Sequence, residues 1–202
     1  KMDAALKIYL PIYLVLYLAF AFVLPSYRTW KQTGINPVIF GKNDTAHDYI
    51  GFVMKLLIAV LFVAVLIFSF SSSIYNYLLP AVYLQNQVIR IIGLVIIHIS
   101  LLWIIIAQFQ MSNSWRIGID ETNKTELVTK GVFAISRNPI FLGMIASVFG
   151  LFLILPNAVT FFLSVTTYLI IQIQIRLEEE FLEKVHGEKY INYKKTTQRL
   201  LL

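Results

Sequence analysis

Residues 138–175 read NPIFLGMIASVFGLFLILPNAVTFFLSVTTYLIIQIQI and contain no Asp, Glu, Lys or Arg. An apolar helix of roughly 20 residues crosses a bilayer core. The run is therefore too long for one crossing and long enough for two. Pro156-Asn157 divides it, because proline breaks a helix interior and asparagine tolerates turn conformations. The stretch predicts a tight helical hairpin with spans at 139–155 and 158–175.

Working outward, residues 8–25 are also free of charge. They lack a small-residue cleavage site before Pro25-Ser26 and read as a retained span rather than a signal peptide. Tyr9, Tyr13 and Tyr17 recur every four residues, which puts them on one helix face as packing and interface anchors. The charge-free run from Leu56 to Ile89 is interrupted by Ser71-Ser72-Ser73 and Pro80. It yields a second span at 49–70, a weakly polar aromatic loop, and a third span at 88–110. The expectation is an all-α polytopic protein of about five transmembrane helices, with residues 1–202 as one membrane domain. No segment alternates as a membrane barrel strand would.

Composition points the same way. The chain is 58% hydrophobic and only 14% charged, where soluble domains carry about 25% charged residues. It has no cysteine, which excludes disulfides, cysteine-ligated metal and thiol catalysis. No metal-ligand spacing appears. The net charge of +6 comes without a basic, aromatic-studded stripe, so a nucleic-acid partner is not expected. The charge reads instead as a topology signal and as contacts to anionic lipid. Arg28, Lys31 and Lys42 follow the first span; Arg116, Lys124, Lys130 and Arg137 follow the third; Arg176 and a Lys-rich tail follow the fifth. Arg90 alone dissents. These segments should share the cytoplasmic face of a bacterial or archaeal inner membrane.

Chemistry should gather there. Arg137-Asn138-Pro139 opens the fourth span, with proline in a position that a first helical turn tolerates, and a helix start attracts anions. Arg176-Leu177-Glu178-Glu179-Glu180 lies where the fifth span leaves the bilayer. The hairpin forces these two clusters together, placing cationic and anionic groups at one membrane boundary. Such a site suits a zwitterionic, sulfonium-bearing cofactor meeting an amphipathic substrate. The plain alternative is a set of snorkelling anchors. In the polar loop 26–48, Asp44 or Thr45 is a candidate helix cap; the functional alternative has His47 and Asp48 facing substrate. His98 reads as a packed polar residue and His186 as a helix-end residue.

The pattern Gly131-x-Phe133-x-x-x-Arg137-Asn138-Pro139-x-Phe141-x-Gly143 resembles the isoprenylcysteine carboxyl methyltransferase and phospholipid methyltransferase superfamily. So does Arg176-x-Glu178-Glu179-x-x-Leu182, followed by Gly187-x-x-Tyr190-x-x-Tyr193 and Arg199. Trp115, ahead of Leu127-Val128, also matches. The resemblance covers roughly residues 100–200. It implies that residues 111–202 form a cofactor-binding and catalytic part that takes S-adenosylmethionine. By the same resemblance, Arg137, Asn138, Pro139, Phe141 and Gly143 line the cofactor, and Leu127, Val128, Gly131 and Phe133 form the preceding wall. Glu178 and Glu179 hold its polar groups, while Tyr190 and Tyr193 close the lid. Trp115, Arg176, Arg199, His47 and Asp48 are the candidates for meeting substrate. The chain departs from the superfamily at Asn138, where His is common, and at Phe141, where Tyr is usual. Asparagine hydrogen-bonds but does not titrate near neutral pH.

The implied reaction is methyl transfer to a carboxylate or amine of a lipid-like substrate, of which a prenylated cysteine is one form. A carboxylate nucleophile needs only a cation such as Arg176 to place it. An amine must lose a proton, for which Glu178 or Glu179 is available. A nicotinamide-dependent membrane reductase of the sterol-reductase type and a non-catalytic scaffold are the rival readings.

Overall fold

The computed structural model describes residues 2–39, 45–119 and 126–201. Lys42, Asp44 and Lys124, counted above, lie outside the described residues. Among the described residues the regular structure is helical, with three isolated bridges besides. Four helices are long and apolar enough to cross a membrane: α1 (Met2–Thr33), α2 (Ala46–Phe70), α4 (Gln87–Met111) and α6 (Ala158–His186). The apolar α5 (Pro139–Ile154) is shorter, while α3 (Ser72–Asn76) and α7 (Glu188–Thr196) are brief polar helices. The charge-free crossing within α6 ends at Ile175, and the remainder of that helix projects beyond it.

The sequence places the end of the first span at Pro25, yet α1 runs on to Thr33. Proline lacks an N–H and would break a regular helix. Here the backbone widens into a π turn over Ala19–Val23, and Pro25 falls in the first turn of the α-helical stretch that follows. Gly34, at φ 69°, then stops the helix, donating its N–H to the Trp30 carbonyl at 2.8 Å. Thr45 caps α2 by accepting from the Asp48 N–H (3.2 Å). At the hairpin, Asn157 and Thr160 form a reciprocal capping box that starts α6 directly after Pro156.

Apolar burial gives helices little reason to associate inside lipid, so close packing through small residues must do so. The α4–α5 crossing works this way. A Cβ added at Gly93 would sit 2.7 Å from the Gly150 carbonyl oxygen, and one at Gly143 would sit 2.5 Å from the Ile104 side chain. The tyrosine stripe fastens α1 to α4: Tyr9 hydrogen-bonds His98 (2.5 Å) and Tyr13 donates to the Ile97 carbonyl (2.7 Å). His98 is hydrogen-bonded at both ring nitrogens, the other one on the Leu94 carbonyl, but it lies on the exposed surface of the bundle rather than packed inside it. On the face away from the α5 start, Ala81 donates to Pro156 and Ala158 to Leu78, which ties the aromatic loop to the hairpin turn. Arg90 lies at that same end, paired with Asp3. Its charge is offset there, and its departure from the charge asymmetry has a local cause.

Candidate active site

Toward the opposite face, Ala21 and Phe22 of α1, Met54 of α2, the end of α4 and the start of α5 surround one cavity. Gln174, Glu178 and Leu182, four apart on α6, make one wall. Tyr190 and Tyr193 of α7 close over it, both buried. The far wall is Phe133 with Arg137, Asn138, Pro139, Ile140 and Phe141; the rim runs through Trp115–Gly118 and Leu127–Val128. The loop after α1 reaches the same rim: Ile117 donates to the Pro37 carbonyl (2.8 Å) and Ile39 donates to that of Ile117 (3.0 Å).

Arg137 and the acidic triplet do come together. Glu179 Oε1 accepts from Arg137 Nη2 (2.8 Å) and Nε (3.1 Å), while Oε2 accepts from Arg199 Nη2 (2.7 Å) and Nε (3.1 Å). The Glu179 side chain is 5% exposed and that of Arg137 8%. Burial alone would raise the Glu179 pKa, but the two guanidiniums outweigh it and hold the carboxyl below its usual range. The chain's last residues are threaded through this knot. The Arg137 N–H donates to Gln198 (2.9 Å), its guanidinium also reaches the Thr197 carbonyl, and Asn138 Nδ2 donates to Arg199 (3.0 Å). Tyr193 hydroxyl donates to the Phe133 carbonyl at 2.5 Å, and burial pushes its pKa up to about 12.

Glu178 has a different setting. It faces the cavity, and its Oε1 accepts from Gln174 Nε2 at 2.7 Å. Desolvation dominates, only partly offset by that bond, and raises its pKa to about 7. Two adjacent carboxylates are therefore driven in opposite directions, a condition that separates structural from proton-handling roles.

Not every candidate residue reaches the cavity. Arg176 is exposed and bonds along its own helix to Gln172, through both the carbonyl (2.5 Å) and the side-chain oxygen (3.0 Å). Gly143 is spent on the α4–α5 contact, and Gly131, at φ 64°, makes room for Gln110, whose Oε1 accepts from the Val132 N–H (2.9 Å). His47 and Asp48 sit in the first turn of α2, where Ile119 donates to His47 Nε2 (3.0 Å). Neither lines the cavity. Sequence reasoning passed over Gln108, whose Nε2 donates to the Ala21 carbonyl (2.6 Å), and Gln174. The available signal was polarity itself, since an amide within an apolar span is expensive and rarely idle.

A second chamber adjoins the cavity. Phe22, Met54 and Met144 line both, and the chamber is almost wholly apolar and runs between α1, α2, α5 and α6. Leu163, Thr167 and Ile171 continue the Gln174–Glu178–Leu182 stripe along α6 into that chamber. No match was found among curated proteins. The family model for phospholipid methyltransferases, in contrast, matches residues 88–189, the segment from α4 through the cavity to α7. With four apolar crossing helices and a match over half its length, the chain belongs to the phospholipid methyltransferase family, a family of integral membrane methyltransferases.

Proposed function

We propose that this protein transfers a methyl group from S-adenosylmethionine to an amine on a lipid, with the reaction at the cytoplasmic boundary of the membrane. The observation that carries the reading is a polar, carboxylate-bearing cavity set against an apolar chamber inside the helix bundle, with Phe22, Met54 and Met144 lining both. An amphipathic substrate needs both environments at once. Family membership favours transfer chemistry over the reductase and scaffold readings.

The residues fit the cofactor. Phe133, Phe141, Tyr190 and Tyr193 offer aromatic walls to a flat base, and Glu178 and Glu126 bring acceptors for ribose hydroxyls and an ammonium group. When bound, S-adenosylmethionine supplies an electrophilic methyl on a sulfonium centre. The chain's own contribution is orientation and exclusion of water, effects worth up to about 7–11 kcal/mol in favourable cases. Arg137 lines the cavity and pairs behind it with Glu179, and its guanidinium holds the Thr197 carbonyl.

Glu178 supports an amine over a carboxylate acceptor. An amine must shed a proton, and a cavity-facing carboxyl with a pKa near neutrality is suited to take it. Arg176, the cation that would place a carboxylate, is turned onto Gln172. Calorimetric titration of the protein in lipid nanodiscs tests the cofactor assignment. Wild type should release heat with S-adenosylmethionine, and Glu178→Gln should bind about tenfold to a hundredfold more weakly, the span of a lost charged hydrogen bond. A folded wild type that gives no heat refutes it.

A further inference from the structure

The projecting end of α6 has a charged face other than the one that carries Glu178. Arg176, Glu180 and Lys184 recur there every four residues, and with Lys194 of α7 and Arg199 of the tail they surround a surface hollow. No residue of this hollow lines the cavity or the apolar chamber. The charge-free crossing ends at Ile175, so Arg176 stands at the first position past it. From Arg176 to Lys184 the helix rises by about 12 Å. That distance covers the headgroup layer of one leaflet, about 5–8 Å deep.

The charges in the hollow do not cancel. Glu180 pairs with Lys184 (2.7 Å), Glu183 with Lys194 (2.8 Å) and Glu179 with Arg199 (2.7 Å). Arg176 is left over, with no ion pair among the described residues. Only its Nη1 is engaged, on the carbonyl and side-chain oxygens of Gln172, so Nε and Nη2 remain for a ligand. Gln172 lies one turn toward the bilayer, and its bonds hold the Arg176 guanidinium back at the boundary. Arg199 spends Nε and Nη2 on Glu179 and keeps Nη1, with its side chain 36% exposed.

We infer that this hollow binds the phosphodiester of an anionic phospholipid, at a site separate from the cavity. A phosphodiester carries one negative charge, which matches the one unpaired cation, and guanidinium forks suit its oxygens. A zwitterionic headgroup matches less well, because each carboxylate that could receive its ammonium already holds a cation. The site is also tied to the tail. Glu179 grips Arg199 on the side of the hollow and Arg137 on the side of the cavity, and the Arg199 carbonyl accepts from Asn138. A lipid phosphate on Arg199 therefore holds residues 197–201 down beside the cavity wall. The inference needs only the membrane placement of α6 and does not rest on the transferase proposal.

Native mass spectrometry of the full chain, released from nanodiscs of equal phosphatidylglycerol and phosphatidylcholine, tests the site. Wild type should retain phosphatidylglycerol in preference to phosphatidylcholine. Arg176→Gln should lower that preference by about tenfold to a hundredfold, the span of a lost charged hydrogen bond. Lys189→Gln, which changes an exposed lysine of α7 outside the hollow, should leave it as it is. Arg176 bonds only along its own helix, so its variant should melt as wild type does. Proteolysis gives a second readout: cleavage within residues 197–201 should be slower in phosphatidylglycerol bilayers than in phosphatidylcholine for wild type, and equal in the two for Arg176→Gln. A wild type without lipid preference would overturn the site, and an equal loss in both variants would reduce it to general surface charge. Inorganic phosphate that protects the tail in phosphatidylcholine bilayers as well as phosphatidylglycerol does would overturn the lipid in favour of a free anion. None of these readouts involves methyl transfer, so failure of this site and failure of the transferase proposal are separate results.

Discussion

Arg137 takes one oxygen of Glu179 although the two residues lie 42 positions apart, and Arg199 takes the other oxygen. One buried carboxylate thereby ties the loop before α5, the projecting end of α6 and the chain's tail. Removing one member of a buried ion pair leaves an uncompensated charge, at a cost of about 3–5 kcal/mol. Glu179→Ala should therefore lower thermal stability sharply in detergent and expose residues 197–201 to protease. Arg137→Lys should recover only part of the loss, since a point charge replaces a fork.

The two neighbouring glutamates should give opposite pH signatures. Glu179 has a depressed pKa, so its stabilisation is full above the ordinary carboxylate range and is lost as pH falls through and below it. Glu178 has a raised pKa, so its contribution is full below the ordinary value of 4.5 and fades as pH rises through about 7. Melting temperatures measured between pH 5 and pH 8, a window set by those shifts, should fall with rising pH in wild type. The slope should flatten in Glu178→Gln and persist in Glu179→Gln.

Tyr193→Phe removes the donor that satisfies the Phe133 carbonyl. A buried acceptor left without its partner costs about 1–3 kcal/mol. A matching loss in equilibrium unfolding is expected, with the fold and the apolar chamber intact. A change of less than a few tenths of a kcal/mol would contradict the bond's assigned weight.

Gly93→Val should separate α4 from α5, because the added carbon meets the Gly150 carbonyl, which is backbone and has no room to yield. Gly34→Ala is the contrasting case. Its positive φ makes alanine strained by about 1–2 kcal/mol, but nothing crowds the position. Expression and melting in detergent should rank Gly93→Val far below Gly34→Ala.

Much of this was legible in the sequence because charge and proline are loud signals in an apolar chain. Pro156-Asn157 predicts the hairpin, and the hairpin predicts that Arg137 meets the acidic triplet; the structure picks Glu179 from it. Thr45 caps α2 as its side chain suggests. The continuation of α1 through Pro25 was not legible, since a π turn depends on packing that no local pattern announces. Arg176 was misleading for a geometric reason: it precedes Glu178 by two positions, which on a helix turns it to another face. Gly143 belongs to a motif yet serves helix packing, because a small residue in a membrane helix answers to its neighbour first. The bond from the Ile119 N–H to His47 Nε2 spans segments that only the fold brings together.

The most direct test supplies purified wild-type protein in bilayers with methyl-labelled S-adenosylmethionine and total membrane lipids, then extracts the organic phase. Label is expected in an amine-bearing lipid, and its transfer should collapse in Glu178→Gln. A folded wild type that leaves all label in the aqueous phase would contradict the proposed activity.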